Sequence, residues 1–469
     1  MLRTVAPSPS HRAMLKMFSP GLWIVLLLAA GSTVLVALLP VQPRTGMQLW
    51  LFDPNHALIA RHIAEDWNRA HPQATVQVNL LTGFAIQTRM LSGFYSDTPV
   101  ADMIEVERTM IGQVFAGPVA DVGFTDLTGR LERENLRDGI NPPSFSPWTT
   151  RGHIFGLPHD VHPVMLLYRS DLVEAAGIDV SKIETWDDYI RLFRPLMVDL
   201  DGDGRVDRFL LNASPTSIYY HEVMLLQAGG RMFDDMNHPT LNDAINARVI
   251  ARLATWYTGP NRVASEVAIG GASAIRQLRE GYVIGLLAPD WFAGSLRTTL
   301  PDMAGKFKLM PLPAWEKGGR RTSVLGGTML GITKASPTPE AAWAFAKQLY
   351  LSPDGAAQLY EGDRIISPVK ANWREPFYDA PDAFYCGQHI GRMYIGLAPD
   401  VPLRPSSPYY AQAQQLLNLA IIQLCRYADD HGLYEARALE PEAHRLLDGA
   451  QRELQRQMNR NVFLRAAAR

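Results

Sequence analysis

Cysteine is nearly absent from this 469-residue chain: Cys386 and Cys425 are the only two. That excludes a disulfide-stapled miniature scaffold and any multi-cysteine metal cluster. Outside the cytoplasm the pair can form one disulfide; otherwise they are two thiols. Recognisable catalytic motifs are missing as well. There is no Gly-x-Ser-x-Gly elbow, no P-loop, no Gly-x-Gly-x-x-Gly and no His-Glu-x-x-His. The sequence therefore points to no cofactor. Excess positive charge is also lacking: 45 Lys and Arg stand against 47 Asp and Glu, and no basic patch suggests nucleic acid. Finally, no acid precedes Asp53, and no charge of either sign lies between Gly21 and Leu39.

That uncharged run is the first positive signal. Nineteen residues at ~1.5 Å each span ~28 Å, close to a hydrocarbon core. Arg3, Arg12 and Lys16 precede it, which places the N-terminus in the cytoplasm and everything after Pro40 outside. The expectation is a cytoplasmic segment over 1–20, a membrane anchor over Gly21–Leu39 and a linker over 40–46. The alternative is a signal peptide cut after Ala29-Ala30-Gly31, which leaves Ser32–Leu39 as an apolar tail on a protein secreted to the periplasm.

The rest has an ordinary globular composition, 47% hydrophobic and 20% charged. It is too long for one core, so two packed lobes are expected. Strand and helix alternate from Met47 on. Met47–Phe52 reads as a strand and Ala57–Ala70 as a helix burying Ile59, Ile63, Ala64 and Trp67. Val76, Val78 and Leu80 alternate as a half-buried strand, Ile86–Tyr95 is helical and Val100–Val106 is a strand. Further on, Val164–Tyr168, Tyr282–Ala288 and Leu325–Ile332 read as strands. Asp187–Leu196, Ala244–Tyr257, Pro339–Leu351 and the amphipathic Glu440–Arg460 read as helices. Such a rhythm specifies an α/β fold with parallel or mixed sheets.

One stretch is more specific. Trp148-Thr-Thr-Arg-Gly-His-Ile-Phe-Gly156-Leu157-Pro158-His159-Asp160 leads into an apolar run ending at Tyr168, and Thr185-Trp186-Asp-Asp-Tyr189 follows. This order resembles the extracellular solute-binding proteins of ABC importers, the family of maltose-binding protein, and the likeness extends from Met47 to Arg460. The resemblance implies a two-lobed periplasmic-binding-protein fold of type II. Its first lobe would span 47–158 and 314–370, its second 159–313 and 371–469, with hinges at His159–Met165 and Leu309–Pro313. It implies a monomer that captures a solute, most readily a sugar or oligosaccharide, docks on ABC permease subunits and catalyses nothing. Open alternatives are a glycerol phosphate, a polyamine or a metal chelate as solute, or a membrane-tethered carbohydrate-active enzyme.

Sugar binding needs flat apolar surfaces and in-plane polar groups. Trp291 follows a strand end, where α/β clefts form, and matches a tryptophan position of the family. Asp160 matches a polar position at the crossing, although the family's maltose binder has a glutamate where His162 stands. Asp53, Asn55 and His56 join the first strand to a helix N-terminus. Phe84, Glu107 and Arg108 follow the next two strands, and Gly327 and Thr328 open another. His159, Trp373, Tyr409 and Tyr410 complete the candidate rim. His159-Asp160-x-His162 also has the look of a metal cluster, but without a distant partner it reads better as a cleft strand. Asp199, Asp201, Asp203 and Asp207 fit a calcium loop, yet its closing position holds Leu210 instead of glutamate, so a tight turn is the preferred reading.

Overall fold

In the computed structural model, residues 20–38, 45–96, 98–267 and 271–461 are described. The expected linker over 40–46 and Leu39 lie almost wholly outside them. Twelve strands occur among the described residues: Met47–Leu51 (β1), Val76–Leu80 (β2), Met103–Glu107 (β3), Thr149–Thr150 (β4), His153–Ile154 (β5), Leu157–Pro158 (β6), Val164–Arg169 (β7), Phe209–Asn212 (β8), Ala264–Ser265 (β9), Val283–Pro289 (β10), Phe307–Pro311 (β11) and Thr328–Ile332 (β12). They form two five-stranded sheets, ordered β2-β1-β3-β12-β6 and β11-β7-β10-β8-β9, and the small β4-β5 hairpin.

Each sheet is one lobe's floor and is buried on both faces. The period of two makes this visible. In β1, Leu49 and Leu51 join one apolar cluster and Trp50 the opposite one. In β7, Val164, Leu166 and Tyr168 point into one cluster, Met165 and Leu167 into another. Every residue of β7 is buried, which explains its near-continuous hydrophobic run. The pairs β1–β2, β1–β3 and β8–β10 are parallel, whereas β12 and β7 run antiparallel to their neighbours.

Local chemistry sets the helix ends. Pro54–Ala70 begins three residues before the expected start because Asp53 caps it, accepting from the Asn55 and His56 amides at 2.8 and 3.2 Å, and Pro54 takes the first position. Trp186–Phe193 begins with a capping box between Thr185 and Asp188. The strand expected over Leu325–Ile332 is shorter, since Gly326 and Gly327 have φ of +99° and +125° and cannot continue a pleat. The helix expected over Glu440–Arg460 runs from Ala436 to Met458 and packs through Leu439, Ala443, Leu447, Ala450 and Leu454 onto the second lobe's core.

The chain passes between the sheets after β6 and again between β11 and β12. The two passages run side by side: Pro163 bridges Val324, and the Val164 amide donates to Ser323 O at 3.2 Å. A third passage lies near Ile365 and Ile366, which pack into the first lobe's core and the second's respectively, while Val369 still bridges Ile140 of the first lobe. Cys386 is exposed and Cys425 buried, and both are free thiols.

Residues up to Thr45 form a separate unit. Within it Pro20–Leu38 is one 19-residue helix without a charged residue. Among the described side chains, which in this helix cover Gly21–Leu35, no helix is long and apolar enough to cross a membrane.

Gly285, in mid-β10, tests the second sheet's packing. A Cβ there would overlap the Tyr189 hydroxyl and lie 2.9 Å from Leu210 O, the carbonyl to which Tyr189 donates at 2.7 Å. We expect Gly285→Ala to destabilise the protein by ~1–3 kcal/mol through overpacking, read from denaturant unfolding. An unchanged midpoint would mean that Tyr189 moves aside freely.

Candidate functional site

The C-terminal ends of the parallel strands β8 and β10 open on a cavity of about 290 Å³. Asn212 closes β8, and Leu286, Leu287 and Pro289 end β10. The helices that follow contribute Ile218, Tyr219, Tyr220, Trp291 and Phe292, with Leu325 from a passage between lobes. Thr216, Ser217 and Glu266 supply the polar edge. Trp291 and Phe292 meet edge to face at 5.9 Å, and the indole N–H of Trp291 donates to Leu325 O at 3.2 Å. Gly326 is required beside it, because a Cβ would approach that nitrogen to 2.8 Å. The result is an apolar, partly aromatic wall with hydroxyl, amide and carboxylate groups in reach, the composition of a small-molecule site. Tyr219, 54% exposed, faces the first lobe, where Glu107 and Arg108 are its charged neighbours.

Behind Tyr219 lies a buried ionic cluster joining the two lobes. Arg108, just after β3, donates to Glu222 at 2.7 Å and stacks over the Tyr410 ring at 4.6 Å. Tyr410 and Gln414 also donate to Glu222, and Arg404 stands 3.7 Å from it while donating to Gly326 O. Two arginines thus share one carboxylate. Burial, and then the Arg108 charge, depress Arg404 to about 10. Nε and Nη1 of both guanidinium groups have no hydrogen-bond partner among the described residues, although Arg404 Nη1 is the atom ion-paired with Glu222, and both arginines line a small cavity of about 40 Å³.

A second buried network occupies the passage after β6. His56 Nδ1 donates to both oxygens of Glu105 at 3.1 Å, and Tyr350 donates to the same carboxylate at 2.7 Å. The His56 and His159 rings stand 4.3 Å apart. His159 Nδ1 donates to Asp160 at 2.7 Å, and Asp160 also accepts from His162 Nε2. His162 Nδ1 donates to Asp290 at 2.9 Å. Both nitrogens of His162 face carboxylates, which only accept, so both carry protons and the ring is a cation. Burial alone would lower its pKa, but Asp160 and Asp290 outweigh that and hold it at about 9. Burial likewise opposes the charge on Asp160, yet the imidazoles bring it to about 2. His56 is raised to about 9 by Glu105 against its own desolvation, while burial and the neighbouring His56 lower His159.

The residues expected at the rim divide between these settings. Trp291 lines the cavity. Arg108 and Tyr410 belong to the ionic cluster. His56, His159 and Asp160 are buried in the histidine network, so Asp160 is no part of a solvated wall. Asp53 and Glu107 cap helices. Asn55 is exposed, its amide 3.5 Å from Asp363. Phe84 is 80% exposed at the start of its helix, a free aromatic face on the first lobe. Gly327 and Thr328 enter β12 beside Arg108, which donates its amide to Gly327 O at 3.1 Å. Trp373 packs against the second lobe's core and donates to Ser367 O at 2.7 Å, and Tyr409 packs on that lobe's helical core. Neither lines the cavity. In the acidic loop, Asp199 accepts from the Gly202 and Gly204 amides and Asp207 from that of Leu200, as in a tight turn. Asp199, Asp201 and Asp207 nevertheless bring carboxylate oxygens within 4.8 Å of one another. Sequence reasoning missed Asn212, Tyr219, Glu222, Glu266, Phe292 and Arg404. Position at or just after a strand end could have marked Asn212, Glu266 and Phe292; nothing local marked Tyr219, Glu222 or Arg404.

The histidine network has a pH signature. A group raised in the folded state stabilises fully below its unfolded pKa, about 6.5, and that stability is lost as pH rises through about 9. Asp160, lowered, stabilises above ~3.9 and loses this as pH falls through about 2. We expect unfolding free energy to decline between pH 6.5 and 9, and His162→Gln to remove part of the decline. Equal slopes in both proteins would show that His162 is not a buried cation.

Comparison with known proteins agrees with this architecture. The family described as bacterial extracellular solute-binding protein matches residues 54–357. An arabinooligosaccharide-binding protein of Halalkalibacterium halodurans is 24% identical over 370 residues, covering 77% of this chain and 80% of its own length. A lactose-binding protein of Rhizobium radiobacter is 26% identical, covering 76% and 82%. Among solved structures, the sugar-binding protein MalE of Xanthomonas citri superposes with a TM-score of 0.67 at 17% identity, over 86% of this chain and 98% of that one. With its two α/β lobes and the cavity at their strand ends, the chain belongs to the bacterial extracellular solute-binding proteins.

Proposed function

We propose that this protein captures a sugar or short oligosaccharide outside the cytoplasm and delivers it to an ABC permease, without catalysing a reaction. One observation carries the reading: Trp291, Phe292 and Tyr219 present aromatic surface beside Asn212, Thr216, Ser217 and Glu266 in one cavity at the strand ends. Pyranose C–H faces stack on the first set and their hydroxyls bond to the second. The arabinooligosaccharide and lactose binders among the relatives support the same solute class. Phe84 serves as the first lobe's stacking face. The lobes divide near residues 158, 313 and 370 and hinge at the paired passages, which are few-residue connections able to absorb the rotation. The protein acts as a monomer, and the Pro20–Leu38 helix, uncharged throughout, holds it to the membrane.

The two arginines of the ionic cluster favour a second reading, a solute bearing a carboxylate or phosphate. Their unpartnered N–H groups suit an anion. A titration panel of neutral and uronic-acid oligosaccharides separates the two.

Two outcomes are expected. Trp291→Ala weakens carbohydrate binding by ~2–4 kcal/mol, as a central aromatic contact does, measured by calorimetry with arabino-oligosaccharides, lactose and galactobiose. Unchanged affinity removes Trp291 from the site. On fractionation, the full chain partitions with membranes and residues 46–469 do not. A soluble mature chain starting near Ser32 would establish a cleaved signal instead.

A further inference from the structure

The histidine network contains more carboxylate than its cations balance. Asp53, Glu105, Asp160, Asp290 and Asp363 gather around three imidazoles, and among the described residues no arginine or lysine is ion-paired or hydrogen-bonded to any of them. This basin attracts cations.

Its geometry is that of a metal site. His56, Glu105 and His159 place one ligand atom each within 4.8 Å of one another. His56 Nδ1 lies 3.1 Å from both Glu105 oxygens, close to the ~3.3 Å between ligand atoms that share a tetrahedral ion at ~2.0 Å. The outer partners are also in place. Asp160 accepts from His159 Nδ1, which fixes the tautomer with the lone pair on Nε2, and Tyr350 steadies Glu105. His159 Nε2 is fully buried and has no partner among the described residues. A buried lone pair facing no donor is costly unless something accepts it. Asp53, His56 and Asp363 form an overlapping set within the same distance, and His56 keeps 10% of its side chain in solvent, which marks the entry side.

We propose that His56, Glu105 and His159 bind a divalent transition-metal ion, zinc by the chemistry of two imidazoles and a carboxylate. The ion takes the place of the proton that His56 Nδ1 gives to Glu105. It pins the passage carrying His159 to the first lobe's helix and sheet. The distant partners that the His159-Asp160-x-His162 cluster lacks in sequence are His56 and Glu105.

The test is a zinc chloride titration of the chelator-stripped full chain in detergent. One tight zinc per chain is expected. His159→Gln should lose at least a hundredfold in affinity and Asp160→Asn ~10–100-fold, while His153→Gln, altering an exposed histidine paired with Asp126, leaves it unchanged. Absence of tight binding, or full affinity in His159→Gln, overturns the proposal. If that variant does not fold, X-ray absorption on the zinc-loaded wild type decides: a shell of two imidazoles and carboxylate oxygen supports the site, and an oxygen-only or one-imidazole shell overturns it.

Discussion

The carboxylate of Asp290 is the junction on which the space between the lobes depends. One oxygen accepts from His162, on the first passage, and from the amide of Trp291, at the cavity; the other accepts from the amide of Ile366, on the third passage. All these distances are 2.9 Å, and the residue is fully buried. A buried carboxylate with three donors is stable where one left with a single donor is not. Two lobe passages and the aromatic wall are therefore fixed by the same charge.

The need to satisfy that charge reaches further. His162 adopts φ of +55°, a left-handed backbone that few side chains accept. In that conformation its ring faces Asp160 on one edge and Asp290 on the other. The imidazolium at this position is thus matched by two acids. An acid there would have been a third carboxylate beside Asp160 and Asp290 with no cation between them. The ionic cluster of Arg108, Glu222 and Arg404 is the complementary case: positive charge exceeds negative, on the other side of Tyr219.

How much of this was legible in the sequence follows from the range of each interaction. The alternation of Val76, Val78 and Leu80 and the apolar face of Ile59, Ile63, Ala64 and Trp67 are set within a few residues, and both elements formed, the helix starting three residues early at the Asp53 cap. Boundaries failed where backbone geometry decided, as at Gly326 and Gly327, whose apolar neighbours look like a strand. Trp291 was found because strand ends in α/β folds are where ligands sit. Asp160 was read as a cleft-wall carboxylate, but its surroundings were not legible: its partners His159 and His162 adjoin it, while the acids that pair with the outer edges of the network, Glu105 and Asp290, lie 55 and 130 residues away. Glu222 and Arg404 are separated by nearly two hundred residues from each other, and no local pattern joins them.

The same distance argument bears on how the lobes move. Hinges are usually sought in glycine and proline, and the second passage has both in Pro313, Gly318, Gly319, Gly326 and Gly327. The first passage is different. His159, Asp160 and His162 are all buried: Asp160 accepts from both histidines, His162 donates on to Asp290, and the His159 ring packs 4.3 Å from that of His56. Rotation there must either carry Asp290 along or break its charged hydrogen bond to His162 in a dry environment, which is stronger than a neutral one. The proposed hinge is therefore best placed outside the network, at Pro163 rather than between His159 and His162, which leaves the network with the wall that carries Trp291.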